Sequence, residues 1–411
     1  MTRELDVYLY DDPVGLLVGG DDGEMTFQYA ERWLETPGAA PLSQSLPLRP
    51  ERFRRNECRG FFGGLLPEQD RREAVARNLG IGPPDDHAML ERIGGECPGA
   101  VMFLPRGQAI PDRHTAYRKL CNRELATILR ELLRRPLLAG EPGVRLTLAG
   151  SQDKLPVRVE GEAIWLPLNG APSTHILKPN VDRPEGAVFN EVFCMELAAA
   201  SGLPAAAVEL RKVGGLDFLL VERYDRHRRA MLDGSTAVER LHQEDFCQAL
   251  GIAPEQKYQR KGGPSLPECF ALVRSVSSAP VIDLARLLDA VIFNYLVGNH
   301  DAHGKSHALL YRGSGGDQRE THVAPLHGVV SGHSWLSSEM AMRIGEQCSS
   351  DTVTLSNFEQ LAAEARLGKP LVRARLHEVA ERAMAAMTKV PIRHPVAERV
   401  ASAIRRRCKG A

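Results

Sequence analysis

Apolar and polar positions follow different periodicities along the chain. Residues 4–30 alternate between apolar and polar side chains, broken at Gly19–Gly23, which is typical of small antiparallel strands joined by tight turns. Residues 40–105 mix prolines with short helical stretches, and leucines at helical spacing predict a connecting helix over 117–135. These patterns predict a small α+β domain over residues 1–105.

The middle of the chain has the pattern of a sheet with one helix. An amphipathic helix is predicted over 188–201, where Gly202 and Pro204 end it. Strands are predicted over 144–148, 156–159, 163–168, 175–178, 207–213 and 218–222. After residue 240 the periodicity is almost entirely helical. Helices are predicted over 243–250, 267–277, 281–298, 355–365, 370–389 and 395–408.

A β-rich half followed by a helical half is typical of a two-lobed enzyme that has its site in the cleft. The pattern therefore predicts an α+β fold with a small N-terminal domain, a β-rich lobe and a helical C-terminal lobe. The corresponding domains are 1–105, 106–240 with the connecting helix, and 241–411. A chain of 411 residues is too long for a single ordinary core, which agrees with this division.

Composition excludes some broad classes. Hydrophobic residues make up 43% and charged residues 25%, as expected for a globular protein rather than a disordered one. Lys+Arg and Asp+Glu both number 52, so overall charge does not favour nucleic acid or an anionic membrane as the main partner. A short basic run at the C-terminus, Arg405–Arg407 with Lys409, is a local candidate. A solubilising tail on a last helix is the favoured interpretation of it.

The eight cysteines are scattered, and no C-x-x-C pair occurs. This spacing favours reduced thiols in the cytoplasm over a disulfide framework or a zinc knuckle. The first 25 residues lack the pattern of a secretory signal, and no stretch approaches the roughly 18 apolar residues of a membrane span. We therefore expect a cytoplasmic protein.

The main candidate for catalysis is the polar loop Gly298–Ser306, which follows the predicted apolar helix over 281–298. Loops held by a rigid scaffold are where catalytic groups concentrate. Asp301 and Lys305 suit phosphoryl transfer, because a carboxylate can orient or deprotonate a hydroxyl while an ammonium offsets charge on the phosphate. Taken alone, a helix end followed by an ordinary polar turn explains the loop about as well.

The loop has three other interpretations. Gly304-Lys305-Ser306 imitates the end of a phosphate-binding loop, but Asn299 stands where the upstream glycine is required. His300, His303 and His307 with Asp301 form a candidate metal site, although no general base accompanies them in the H-E-x-x-H manner. A cluster of surface histidines is the simplest alternative.

The β-rich half contains three further candidates. Leu148–Lys154 is a glycine-containing loop between predicted strands, where small residues let backbone N–H groups approach phosphate. Lys178 ends a strand and suits nucleotide phosphates, with Glu191 on the next helix as a pairing candidate. Residues 218–226 lie where a linker between lobes would present backbone groups to an adenine. Alone, each candidate is explained equally well by a hairpin or a solvated charge.

The order of these parts, together with motifs along nearly the whole chain, resembles the HipA family of serine/threonine kinase toxins from bacterial type II toxin–antitoxin modules. The matching motifs are "PLSQSLPL", "FFGGLLPE", "MLERIGGECPGAV", "LAGSQDK", "THILKP", "NEVFCMELA", "VERYDR", "LHQEDFCQALG", "KYQRKGGPS" and "GNHDAHGK". So many motifs in the same order are very unlikely to match by chance.

The resemblance implies a two-lobed, protein-kinase-like fold preceded by a small α+β domain. It implies phosphorylation of serine or threonine in a protein, dependent on ATP and Mg²⁺. In the family the substrates are aminoacyl-tRNA synthetases, so translation and growth stop. A helix-turn-helix antitoxin binds the toxin and represses the operon, which brings operator DNA to the toxin indirectly. No membrane is implied.

The resemblance also assigns roles to residues of this chain. Asp301 would be the catalytic aspartate, with His303 in the same motif and Lys305 near the transferred phosphate. The implied nucleotide-binding positions are Ala149, Gly150, Ser151, Gln152, Lys154, Lys178, Glu222, Arg223 and Tyr224. The family autophosphorylates a hydroxyl residue just before the glycine loop, which corresponds to Thr147 here, with Ser151 as the weaker candidate. Phosphate at that position would reorder the loop by adding charge.

This chain departs from the family pattern at the metal site. The family motif reads D-x-H-x-K-N, and Ser306 stands where its Asn would hold Mg²⁺. A second ligand, an Asp, aligns with Gly328, which has no side chain. Because Mg²⁺ prefers hard oxygen ligands, we expect weakened or lost metal binding and weak or no kinase activity. The alternatives are a non-catalytic kinase fold that acts through antitoxin and operator binding, and a metal-dependent hydrolase built on the histidines.

Overall fold

The computed structural model divides the chain into two compact units, each made of several segments. The first comprises Met1–Pro179, Arg211–Pro254 and Leu310–Glu320, and the second comprises Asn180–Leu210, Glu255–Leu309 and Thr321–Ala411. The division into three domains at residues 105 and 240 stays a prediction. The structure describes residues 3–20, 24–82, 85–113, 115–181, 185–231, 236–313, 319–332 and 338–410.

The first unit opens with strands β1 (Arg3–Leu9), β2 (Asp12–Gly19), β3 (Met25–Tyr29) and β4 (Val101–Pro105). They form one antiparallel sheet in the order β3-β2-β1-β4. The helices that accompany it are α1 (Glu31–Leu34), α2 (Arg55–Gly64), α3 (Gln69–Leu79) and α4 (Asp86–Ile93). Phe27 packs against the rings of Tyr29, Phe53 and Phe62 in its core. The strands predicted within residues 4–30 are confirmed, and residues 21–23 of the predicted turn lie outside the described residues.

A second sheet contains strands β5 (Tyr117–Leu120), β6 (Leu155–Glu160), β7 (Ala163–Pro167), β8 (His175–Pro179), β9 (Val208–Val213) and β10 (Leu216–Glu222). Their order is β5-β7-β6-β8-β10-β9. Helix α5 (Asn122–Glu131) shares a buried core with this sheet, in which Leu125 and Leu129 accompany Val157 and Leu220. The strands predicted from residue 156 onward are therefore confirmed.

Two predictions in this region were wrong. The helix expected over 117–135 begins at Asn122, because Glu124 accepts a hydrogen bond from the Cys121 N–H at 2.9 Å and so caps the first turn. The residues before it form β5. The strand expected over 144–148 is absent, and Leu146 makes a single parallel bridge to Glu96 instead.

The chain beyond residue 225 contains more strand than the sequence predicted. The additional strands are β11 (Arg226–Ala230), β12 (Thr236–Arg240), β13 (His242–Asp245), β14 (Ala308–Arg312), β15 (Glu320–Val323), β16 (Glu339–Ile344) and β17 (Gln347–Ser349). They pair in the orders β11-β12, β13-β14-β15 and β16-β17. The helix expected over 243–250 is the short α7 (Phe246–Ala249), because the Asp245 carboxylate caps its N-terminus by accepting from the Gln248 N–H at 2.9 Å.

The helix predicted over 188–201 and those predicted over 267–277, 281–298, 355–365, 370–389 and 395–408 are confirmed in the second unit. They are α6 (Ala187–Ala200), α8 (Leu266–Val276), α9 (Pro280–Val297), α10 (Leu355–Glu364), α11 (Lys369–Ala386) and α12 (Pro395–Gly410). The long apolar α9 packs against α8, α11 and α12. Among the described residues, no helix combines the length and the apolar character needed to cross a membrane.

A fully buried carboxylate, Glu96, organises the first unit. Its oxygens accept hydrogen bonds from Arg223 at 3.2 Å, from Arg226 at 2.8 Å, and from Arg240 at 2.9 and 2.6 Å. Ser173 donates its N–H and its hydroxyl to the same carboxylate, each at 2.9 Å. Burial alone would raise the pKa of Glu96, but the three guanidinium groups outweigh it and lower the pKa to about 2. Glu96 is therefore ionised, with its oxygens well satisfied.

A second buried acid, Glu244 on β13, holds the "PLSQSL" segment. Its carboxylate accepts from the Gln44 N–H at 3.0 Å and from the hydroxyl groups of Ser43 and Tyr311. The hydrogen bonds from Ser43, Tyr311 and Gln44, followed by the charge of Arg319, favour the ionised form but do not outweigh burial. Burial therefore dominates and raises the pKa of Glu244 to about 7. This motif has a structural role, since it fixes the loop after α1.

Replacing Glu96 with Gln should destabilise the fold, because three buried guanidinium groups would then surround a neutral side chain. We expect the free energy of unfolding at pH 7, measured by urea denaturation, to fall by about 3–5 kcal/mol. The exposed Glu131→Gln change is the control and should cost less than about 0.5 kcal/mol. The unaltered chain should also lose stability as the pH falls from 4.5 to about 2, because the unfolded state binds the proton first. Equal stability of the Glu96→Gln and Glu131→Gln chains would contradict the role of Glu96.

Glu244 should produce the opposite pH dependence. Its folded-state pKa lies above the value of 4.5 for a free carboxyl, so the folded state holds the proton more tightly. The stability that protonation supplies is complete below pH 4.5 and is lost as the pH rises through about 7. Urea denaturation of the Glu244→Gln variant between pH 4.5 and pH 8 should give a flatter profile than the unaltered chain. An identical slope in both chains would exclude this assignment.

Candidate functional site

The polar loop of the second unit begins where α9 ends. Gly298 adopts a left-handed conformation with φ +70°, and its N–H donates to the Tyr295 carbonyl at 3.1 Å. Asn299 then donates its N–H to the Asn294 carbonyl at 2.8 Å, which satisfies another of the last carbonyls of the helix. The His300 carbonyl accepts from the Ala341 N–H at 2.8 Å. The loop therefore has a fixed backbone before it reaches Asp301.

Asp301 presents a half-exposed carboxylate, since its side chain is 50% exposed. The phenol of Tyr258 donates to Oδ1 at 2.8 Å. The Nε2 atom of His303 lies 4.0 Å from Oδ2. A carboxylate that is anchored at one oxygen and exposed to solvent can accept a hydrogen bond from an incoming hydroxyl group, as the base of a phosphotransferase must.

His303 lies buried behind Asp301. Burial and then the positive charges of Lys257 and Lys305 hold the pKa of His303 well below its usual value, so the imidazole is neutral. Its Nδ1 atom lies 3.2 Å from the hydroxyl oxygen of Ser306. The Ser306 hydroxyl also lies 3.4 Å from the Asp301 carbonyl, and its oxygen accepts from the His303 N–H at 3.3 Å. The hydroxyl group of Ser306 is thus engaged within the loop.

The two remaining histidines of the loop have structural surroundings. The Nε2 atom of His300 lies 2.9 Å from the Ser350 hydroxyl. Burial, followed by the charge of His327, lowers the pKa of His307 to about 4. No cluster of three or more His, Cys, Asp or Glu residues suited to a metal ion occurs in the part of the chain that the structure describes. The hydrolase interpretation gains no support from this arrangement.

The residues at the family's metal positions do not fit Mg²⁺. Gly328 offers no side-chain oxygen, and the Ser306 hydroxyl is held by His303 and by the Asp301 carbonyl. Mg²⁺ requires near-octahedral oxygen ligands and commonly takes one or two carboxylates. Gly328 is exposed, with φ +63°, and a Cβ atom built there would have no atom of the described residues within 4 Å apart from its neighbours in the chain. Space for a side chain exists at this position, but the donor is missing.

The glycine loop lies in the first unit, where the strand lysine meets it. The ammonium group of Lys178 on β8 donates to Gln152 Oε1 at 3.1 Å. Lys154 donates to the Ala149 carbonyl, and Gly150, at φ +104°, accepts from the Glu68 N–H at 3.2 Å. Ser151 is exposed at the tip. The structure therefore brings together Lys178 and the loop residues that the sequence predicted.

Thr147, the first candidate for autophosphorylation, is fully buried. Its hydroxyl donates to the Leu65 carbonyl at 3.0 Å, and its N–H donates to the Glu96 carbonyl at 2.9 Å. These bonds hold the approach to the glycine loop in place. Phosphorylation of Thr147 therefore requires that this segment leave its position.

Glu222–Tyr224, the segment predicted to contact the adenine, also has a structural role. The Arg223 side chain points into the buried ion network with Glu96 and Asp225, and its N–H donates to the Thr174 carbonyl at 3.0 Å. Tyr224 donates its hydroxyl to Gln243. Glu222, at the end of β10, is exposed. Contact with a nucleotide at this segment stays a prediction, and the Arg223 side chain is already committed elsewhere.

The predicted site residues therefore form two groups, one in each unit. Lys178, Gln152 and Lys154 belong to the first, while Asp301 and Lys305 belong to the second. Glu191 on α6 is a residue of the second unit, and its pairing with Lys178 stays a prediction. Tyr258, which donates to Asp301, was not among the predicted site residues, although the "KYQRKGGPS" motif that contains it belongs to the resemblance.

Comparisons with known proteins cover both parts of the chain. Residues 5–104 match the family model of the HipA N-terminal domain, and residues 146–387 match that of the HipA-like C-terminal domain. Relatives include "Putative kinase Y4mE" of Sinorhizobium fredii, which is 44% identical over 95% of this chain and 92% of its own. The serine/threonine-protein kinase toxin HipA of Shewanella oneidensis is 27% identical over 96% of this chain and 90% of its own.

A solved structure agrees with these sequence matches. It is the complex of Shewanella oneidensis HipA with HipB and operator DNA, in which HipA is 26% identical to this chain. The match has a TM-score of 0.84 and covers 98% of this chain and 96% of that one. The fold is accordingly α+β and kinase-like, with a small N-terminal α+β domain and a helical C-terminal lobe. On this evidence the chain belongs to the HipA family of kinase toxins.

Proposed function

We propose that this chain is the kinase-fold component of a toxin–antitoxin module, with phosphoryl transfer strongly weakened by the loss of its magnesium ligands. The single observation that carries the proposal is the contrast between Asp301, which is anchored and accessible, and Gly328, which offers no donor. The chain keeps the groups that handle the hydroxyl and the phosphate. It lacks the groups that hold the metal.

The retained groups suit transfer of phosphate from ATP to a serine or threonine hydroxyl. Asp301 accepts the proton of the substrate hydroxyl and orients its oxygen. Lys305 supplies positive charge beside the transferred phosphate, and Lys178 with the loop Ala149–Lys154 contacts the remaining phosphates. Glu222 to Tyr224 contact the adenine through backbone groups. These roles follow the family motif residue by residue.

The metal supplies charge neutralisation on the phosphates when it is bound in members of the family. With Ser306 and Gly328 at the ligand positions, that contribution is weakened or lost, and the remaining lysines have to offset the phosphate charge alone. Loss of this electrostatic stabilisation costs several kcal/mol in the transition state. The proposed activity is therefore slow, and the protein acts mainly by binding its partner.

The proposed partner is a helix-turn-helix antitoxin, through which the chain associates with operator DNA. Support comes from the HipA relative whose solved structure includes HipB and operator DNA. The proposed substrate is a protein of translation such as an aminoacyl-tRNA synthetase, which places the activity in the cytoplasm. An alternative is a catalytically dead protein that acts only through antitoxin and operator, which the missing donor at Gly328 favours.

Supplying both ligands should raise activity. We expect the chain with Ser306→Asn and Gly328→Asp to transfer phosphate from radiolabelled ATP about 100- to 1,000-fold faster than the unaltered chain. Dephosphorylated casein and the chain itself serve as acceptors. A Cβ atom at residue 328 has no neighbour within 4 Å among the described residues beyond the adjacent ones in the chain, and Asp tolerates the left-handed backbone there better than most residues.

Two controls accompany this experiment. Adding Asp301→Asn to the doubly substituted chain should abolish the gained activity, since the base is removed. Replacing the exposed Glu131 with Gln in the unaltered chain should change nothing. Substantial and equal transfer by the unaltered and the doubly substituted chains would contradict the proposed weakening.

Autophosphorylation should follow the restored activity. After incubation of the doubly substituted chain with ATP, peptide mass mapping should find phosphate on Thr147, with Ser151 as the secondary position. Because Thr147 is buried and bonded to Leu65, its modification should coincide with faster proteolytic cleavage near residues 147–154. Thr147→Ala is the matched control and should remove the label while leaving transfer to casein. Phosphate found only outside this loop would exclude the assignment.

A further inference from the structure

The segment Lys257–Gly263, from the "KYQRKGGPS" motif, has no role in the proposed function, yet it reaches the catalytic loop. It belongs to the same unit as that loop. The phenol of Tyr258 donates to Asp301 Oδ1 at 2.8 Å, over a separation of 43 residues. We propose that Tyr258 is a positioning residue that fixes the orientation of the Asp301 carboxylate. This inference rests on the proposed function, because it takes Asp301 as the base.

Local structure holds the backbone of Tyr258 in place. Its carbonyl accepts from the N–H groups of Lys261 and Gly263 at 2.8 and 3.0 Å, which closes the turn after it. Gly263 cannot be replaced without movement, because a Cβ atom there would lie 2.2 Å from the Gln256 carbonyl oxygen. Gly262 adopts φ +94°, which favours glycine.

The turn that follows Tyr258 is attached to strand β16. The Gln259 side chain accepts from the Arg343 N–H at 2.8 Å, and Arg260 forms an ion pair with Glu339 at 2.6 Å. This strand also bonds the catalytic loop, since the Ala341 N–H donates to the His300 carbonyl at 2.8 Å. The segment that contains Tyr258 and the loop that contains Asp301 are therefore both bonded to β16.

The ring of Tyr258 is fixed by its neighbours as well. It meets the ring of His303 edge to face, with centroids 5.4 Å apart and an interplanar angle of 88°. The ammonium groups of Lys257 and Lys261 lie 5.3 and 5.6 Å from the centroid of the Tyr258 ring. Cation–π contacts of this kind restrict a phenol ring without consuming its hydroxyl group. The hydroxyl group therefore donates to Asp301 from a ring whose orientation is restricted.

The consequence for the chemistry lies in the two oxygens of Asp301. A carboxylate on a half-exposed side chain samples several rotations about its terminal bond. A donor fixed at Oδ1 selects one of them and so sets where Oδ2, beside His303, lies relative to a substrate hydroxyl. The same bond draws electron density from the carboxylate and makes it a slightly weaker base. Orientation outweighs this loss, because misplacement by about 1 Å costs about 100-fold in rate.

The test removes only the hydroxyl group. In the chain with Ser306→Asn and Gly328→Asp, Tyr258→Phe should lower kcat for phosphate transfer to casein by about 10- to 100-fold. The KM for ATP should stay within about twofold, because the ring and its contacts with His303 and the lysines remain. Tyr258→Leu, which removes the ring too, should lower kcat at least as much. Unchanged kcat in Tyr258→Phe, with a loss confined to Tyr258→Leu, would show that only packing matters and would overturn the proposal.

A second readout does not depend on activity. In the otherwise unaltered chain, a water-soluble carbodiimide with glycine ethyl ester should label Asp301 about threefold faster in Tyr258→Phe than with Tyr258 present, as measured by peptide mass mapping. The exposed Glu131 serves as the internal reference. If the doubly substituted chain transfers no phosphate, the proposed function fails while this labelling still tests the contact. Equal labelling rates at Asp301 would overturn the positioning role.

Discussion

The first unit depends on the charge of one buried residue, Glu96. Its side chain accepts hydrogen bonds from arginines of the segment 223–226 and of the end of β12. A water-exposed carboxylate would bind these guanidinium groups less strongly. Its backbone pairs with the approach to the glycine loop, through the Arg145 carbonyl and the Thr147 N–H. One residue of the N-terminal region therefore fixes both the segment after β10 and the approach to the glycine loop. Removal of a single partner from such a network is costly, because the remaining charges stay buried.

In the second unit, the geometry at the end of a helix, rather than a buried charge, fixes the loop that contains Asp301. The apolar helix α9 ends at a left-handed glycine, and backbone hydrogen bonds fix the residues that follow. Asp301 emerges from this rigid turn with Tyr258 at one oxygen. In such a loop the backbone structure can be kept while the side chains that catalysis requires are replaced. The backbone bonds of Gly298, Asn299 and His300 involve neither Ser306 nor Gly328, so this part of the loop does not depend on the side chains at those two positions.

The sequence predicted much of this arrangement, and the reasons for the failures are physical. Long helices such as α9 and α11 have strong local periodicity, so their ends were predicted to within three residues. The strands β13 to β17 are short, and strands of three to six residues leave little periodic signal. Residues 117–120 were misassigned because the Glu124 cap, which starts the helix later, depends on a side-chain bond.

The site shows the same division between local and long-range information. Lys178 and Gln152 were predicted from nearby motifs, and they are in contact. Arg223 donates a hydrogen bond to Glu96, which lies 127 residues away in the sequence, and no local sequence pattern predicts this contact. Tyr258 was overlooked for the same reason, since its partner lies 43 residues away. Tertiary contacts of polar side chains follow no sequence period, so only coordinates reveal them.

Gly328 has a consequence for the history of such proteins. Because a Cβ atom at this position would have no neighbour within 4 Å among the described residues beyond the adjacent ones in the chain, the exchange between glycine and a larger residue adds no close contact at Cβ. Packing therefore does not oppose the exchange, whereas the left-handed backbone at residue 328 favours glycine by about 1–2 kcal/mol. A lineage can lose a ligand at this point, keep its surfaces for other molecules, and regain the ligand later by a single substitution. The fold leaves space for a side chain at residue 328 but does not require one for its packing.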